Sequence, residues 1–147
     1  MPDNAKLPLV YACSGCSDVA QIANHVAVRL DRSGEAQMSC IAGVGGDVPA
    51  LVRVARSGRP VVAIDGCKLA CVENSLARHG VRPTHHYRLW ALGLKKQMKR
   101  DFAPEEADAV YRHIVADLNA RRTDDAATTS GSDEARRRAQ QESETGG

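Results

Sequence analysis

Five cysteines carry the chemistry legible in this chain, and they stand at positions 13, 16, 40, 67 and 71. An odd number of thiols, with no apolar block among the first twelve residues to act as a secretion signal, argues for a reducing compartment rather than a disulfide framework. Thiolates are soft ligands that select zinc, copper(I) or iron–sulfur clusters. Cys13 and Cys16 have the two-residue gap of zinc loops, a gap that thioredoxin-type redox motifs share. Cys67 and Cys71 are four apart, so one helical turn sets both on the same face. Backbone N–H groups at helix starts would help to hold such pairs as thiolates.

Short apolar runs alternate with helix-period segments, and this alternation must position the thiols. Residues 7–12 form the first strand candidate, ending at Cys13. A helix carries Val19, Ile22, Ala23, Val26 and Leu30, with Ser17 or Asp18 as its cap and Gly34 as its stop. Residues 37–42 read as the second strand, closed by Gly43, Gly45 and Gly46. Asp47 and Pro49 open a helix through Leu51, Val52, Val54 and Ala55 that stops at Gly58. The continuous apolar run over 60–64 is the pattern of a strand covered on both faces. A short helix through Leu76 ends with Arg78, His79 and Gly80. Residues 85–92 are the fourth strand candidate, and the last helix starts near Pro104 and carries Ala107, Val110, Tyr111, Ile114, Val115 and Leu118. Four strand-then-helix units predict a single α/β domain over residues 7–118, a four-stranded parallel sheet with flanking helices and right-handed crossovers. From 119 to 147 no large apolar residue occurs, so that segment reads as a disordered polar tail.

Ligands of open parallel sheets bind beyond the carboxyl ends of the strands. Cys13, Cys40 and Cys67 fall at or near strand ends and Cys16 and Cys71 at helix starts, which predicts all five on one edge. Gly15, Gly43, Gly45, Gly46 and Gly66 occupy the same loops. Residues 43–48 lack the final small residue of a dinucleotide fingerprint, and residues 13–19 lack the arginine of a phosphatase loop. The formal net charge of +2 argues against a dedicated nucleic-acid binder. No apolar run approaches the about 18 residues of a membrane span. The chain therefore reads as cytoplasmic, without nucleic-acid or membrane partners.

Asp65-Gly66-Cys67 after a valine-rich strand, with Cys71 following, resembles the central motif of the DGC-domain family, whose members are proposed to bind zinc. Cys13-Ser14-Gly15 and the segment 38–46 (Met-Ser-Cys-Ile-Ala-Gly-Val-Gly-Gly) match the same pattern, and the resemblance spans roughly residues 9–100. It implies one zinc ion held by Cys13, Cys40, Cys67 and Cys71. Two departures stand out: Lys68 occupies a position where proline commonly follows the motif cysteine, and Cys16 is a thiol outside the quartet. A closed four-thiolate site has no open coordination position, so its role would be structural or sensory. The alternatives are a thiol–disulfide or persulfide-handling protein using Cys13 and Cys16, and an iron–sulfur protein.

Asp65 is expected either to orient the ligand loop or to cap the following helix. His85 and His86 begin a strand, on the edge opposite the cysteines, and His25, His79 and His113 fall on helices, so none is expected as a ligand. Lys95, Lys96, Lys99 and Arg100 follow the fourth strand, as positive charge near the site or as a solvated loop.

Overall fold

The computed structural model describes residues 7–144. Four strands run in parallel: β1 (Leu9–Ala12), β2 (Gln37–Met38), β3 (Val61–Asp65) and β4 (His85–Arg88), in the spatial order β2-β1-β3-β4. Leu9 pairs with Val61 and with Gln37, and Ala63 pairs with His86, which fixes the register. The two central strands are wholly buried, in keeping with their apolar runs over 9–12 and 61–64. Leu9, Tyr11, Val61 and Ala63 meet Val44, Ala55, Val72 and Leu76 on one face. Val10, Val62 and Ile64 alternate to the other face, where α1 (Asp18–Arg32) packs on β1 and β3. Burial of each large side chain stabilises the domain by about 1.5–3 kcal/mol.

The helices follow their local signals. Ser17 is the N-cap of α1, its hydroxyl accepting from the Ala20 N–H at 3.2 Å, and Gly34 takes the left-handed conformation after the helix end. Then come α2 (Ile41–Gly45), α3 (Pro49–Ala55), with proline in its first turn, and α4 (Cys71–Ala77). Two boundaries differ from expectation. The second strand is only two residues long, because the chain turns at Ser39 and Cys40 into α2, burying Val44 against the sheet. The fourth strand ends at Arg88 and gives way to a 3-10 turn, Leu89–Leu92, closed by Gly93.

The last helix, α5 (Pro104–Glu144), passes from a first compact unit, residues 1–112, into a second, residues 113–147. The first unit contains all four strands and all five cysteines. Helical backbone continues beyond Leu118, where the apolar pattern stops; alanine, arginine, glutamate and glutamine favour helix even without an apolar face. Residues 145–147 of the expected tail and residues 1–6 at the start lie outside the described residues. No helix among the described residues is long and apolar enough to cross a membrane.

Candidate thiol centre

Cys13 follows β1 directly, and its N–H still donates to the Ile64 carbonyl at 3.2 Å, so the residue is held against β3. Its sulfur accepts from the Gly66 N–H at 3.2 Å, which ties the first cysteine to the Asp65-Gly66-Cys67 turn. Burial pushes the Cys13 thiol up to about 11. The Gly66 N–H offsets this in part, while the negative charge of Asp65 adds to it. Cys13 is therefore a neutral thiol at pH 7, surrounded by groups that would rather not share the edge with another anion.

The glycine of the turn is fixed by close approach. A Cβ on Gly66 would lie 2.7 Å from the Val19 carbonyl carbon and oxygen and 2.9 Å from the Ala20 nitrogen, so only glycine lets the turn lie on the start of α1.

Asp65, 1% exposed, holds the next helix. One carboxylate oxygen accepts from the Val72 N–H at 2.8 Å and the other from the Glu73 N–H at 3.2 Å, two of the orphan donors in the first turn of α4. The cap expectation for this aspartate is thus met in detail, although Ala70, not Asp65, precedes the helix in sequence. The second oxygen also lies 2.7 Å from His86 Nε2. His86 Nδ1 is 3.0 Å from Glu73 Oε2, close enough for charge attraction but not aligned as a hydrogen bond. Arg88 Nη2 approaches the same Glu73 oxygen at 3.4 Å. The expectation that His86 lies away from the cysteine edge is corrected here: the parallel register sets it beside Ala63, within reach of the motif aspartate. Nothing in the local sequence around His86 signals this, because the contact depends on the β3–β4 register.

Cys67 is half-buried, and Lys96 Nζ donates to its sulfur at 3.7 Å. The lysine segment is held by its neighbour: the Gln97 N–H donates to Asp18 Oδ1 at 2.8 Å, and the Gln97 carbonyl accepts from the Asp18 N–H at 3.1 Å. Asp18 is buried at the start of α1, so the expected positive charge near the site is present and anchored at Lys96.

Cys71 is exposed at the first position of α4, after Ala70, whose φ of 49° is left-handed. Cys13 and Cys71 line one cavity of about 290 Å³ with Ser14, Gly15, Ala42 and Ser75. Cys40 is exposed at the N-cap of α2, and Cys16 is exposed in the segment before α1. Cys13 is tied to the turn through the Gly66 N–H and shares a cavity with Cys71, while Cys67 lies in the turn itself.

The donor chemistry suits a soft ion such as zinc, since Cys13, Cys67 and Cys71 lie in or beside the turn and its cavity. Their arrangement is less complete. Among the described residues, no three His, Cys, Asp or Glu side chains converge closely enough to hold an ion.

Sulfurs presented by turns at the carboxyl ends of a parallel sheet, with a buried aspartate bracing them, define a parallel α/β domain with a thiol edge. The chain belongs to the DGC domain family, which it matches over residues 9–114. It is similar to the anaerobic and virulence modulator AnvM of Pseudomonas aeruginosa, with 61% identity over 110 residues, covering 75% of this chain and 83% of that protein. No solved structure matches it.

Proposed function

We propose that this chain is a sensory protein that takes up one zinc ion on its thiol edge, through Cys13, Cys67 and Cys71, with Cys40 as the fourth ligand. The observation that carries the reading is that the Cys13 sulfur accepts from the N–H of Gly66, the residue before Cys67, and lines one cavity with Cys71, although these residues come from a distant part of the sequence. Zinc binds thiolates, so uptake releases the Cys13 proton, and occupancy rises with pH. The donors do not form a closed set as they stand, so uptake requires the Cys40 loop and the 67–71 turn to draw in, which couples occupancy to local order. Four thiolates leave no open position for water, which favours sensing over hydrolysis. Reduced thiols suit the cytoplasm. The similarity to a protein named a modulator supports a regulatory role.

The test is elemental analysis of protein purified without added metal, paired with single Cys→Ser variants. The expected result is about one zinc per chain, lost in the Cys13, Cys40, Cys67 and Cys71 variants and retained in Cys16→Ser. Protein without zinc, whose five thiols all titrate equally with and without chelator, defeats the reading.

Thiol exchange is the second reading, and one observation redirects it. Cys13 shares its cavity with Cys71, whereas Cys16 stands in the exposed segment before α1. Under this reading Cys13 and Cys71 form the reversible bridge, and mass mapping after mild oxidation should find that pair rather than Cys13–Cys16.

A further inference from the structure

The other side of the Asp65-Gly66-Cys67 turn opens on a larger cavity, about 660 Å³, of whose lining the zinc reading uses Cys67 alone. This volume lies in the range of small-molecule sites, about 300–1,000 Å³. Its apolar wall comes from Trp90, Leu94 and Leu69, and its charge from Lys68, Lys95 and Lys96, with no acidic residue in the lining. Leu69 is 67% exposed, a large apolar side chain left in water unless something covers it. Lys96 is exposed, but its backbone is held beside Gln97, which two hydrogen bonds fix to Asp18, and its ammonium group reaches the Cys67 sulfur at 3.7 Å.

We propose that this cavity binds a small carboxylate with an apolar body. The carboxylate pairs with Lys96 at the Cys67 end, and the hydrocarbon portion lies against Trp90, Leu94 and Leu69. A purely apolar ligand would leave three lysines facing it without compensation, and a bare anion would leave the tryptophan wall uncovered. The combination is what an amphipathic acid supplies. Occupation also covers the accessible side of Cys67, so the ligand shields that thiol without bonding to it.

Trp90 is the single tryptophan of the chain, so its fluorescence reports on this cavity alone. The full-length protein is titrated with sodium octanoate below its micelle range, with 1-octanol as the uncharged probe of equal length and acetate as the headgroup alone. The expected result is a saturable change in Trp90 emission with octanoate, weaker by about tenfold or more for 1-octanol and for acetate. Lys96→Ala weakens octanoate by about tenfold, and Lys96→Arg restores most of it. In chelator-treated protein, alkylation of Cys67, followed by peptide mass, slows in octanoate while that of Cys16 does not. Equal responses to octanoate and 1-octanol, no saturation below about 10 mM, or an unchanged Lys96→Ala response each overturn the proposal. Zinc content, measured in the same samples, is expected to stay constant, so failure here is separable from failure of the metal reading.

Discussion

The two flanks of the Asp65-Gly66-Cys67 turn differ in size, charge and sulfur chemistry. On the Cys13 and Cys71 side the cavity is small, lined by serine, glycine and alanine with Ile41 and Val72, and has no cation in its lining. On the Cys67 side it is more than twice as large, walled by tryptophan and leucine, and carries three lysines. One five-residue strand delivers both, because β3 ends between them and its last residue, Asp65, fixes the helix that follows. A single backbone turn can therefore serve two chemistries: two thiols lining one uncharged recess, and a thiol beside a cation in an amphipathic one. What distinguishes them is the segment each flank borrows, the 13–15 and α2 loops for one and the 90–96 stretch for the other.

The largest expected effect removes the distinction altogether. Asp65→Ala deprives two buried N–H groups and His86 of their partner, and should cost about 3–5 kcal/mol in urea unfolding. Both flanks should loosen together, read as faster alkylation of Cys13 and of Cys67. A cost below about 1 kcal/mol would mean that α4 is held by packing alone. Gly66→Ala comes next, at about 1–3 kcal/mol, because its Cβ would meet the backbone of Val19 and Ala20 rather than a movable side chain.

A third measurement sharpens the contrast through pH. In chelator-treated protein, the folded Cys13 thiol is raised from 9.0 to about 11, so the neutral thiol is what the fold prefers. This contribution is fully present below the ordinary thiol value and is lost as pH rises through the folded value. Stability should accordingly fall between about pH 9 and 11, and Cys13→Ser should flatten the fall. Alkylation at pH 8 should be slower at Cys13 than at Cys16, and equal rates would contradict the burial argument. The smallest effect belongs to Lys96→Ala, within about 0.5 kcal/mol on unfolding, since its role lies in the amphipathic cavity and not in holding the turn.

The sequence made the β-α alternation, the parallel sheet and the thiol edge legible, for identifiable reasons. Residues 9–12 and 61–64 are apolar because both their faces are covered, and Ser17, Pro49 and the Gly34 stop mark helix ends by local chemistry alone. The family resemblance drawn from three motifs was likewise readable, and the chain belongs to that family. Contacts that depend on register or on long-range docking were not. His86 reaches Asp65 only because β4 lies beside β3 with His86 opposite Ala63. Lys96 reaches Cys67 only because Gln97 is pinned to Asp18. Cys40 looked like a strand residue because Ile41, Ala42 and Val44 are apolar, and only the packing of Val44 against the sheet reveals the helical turn that makes it a cap.

The fastening of Gln97 to Asp18 has a mechanical corollary. Asp18 is the first residue of α1, immediately downstream of the loop that carries Cys13 and Cys16, and it grips the lysine arm through both its carboxylate and its amide. The loop that lines the first recess and the segment that lines the second are thus fastened at one residue, so both walls rest on the same helix start.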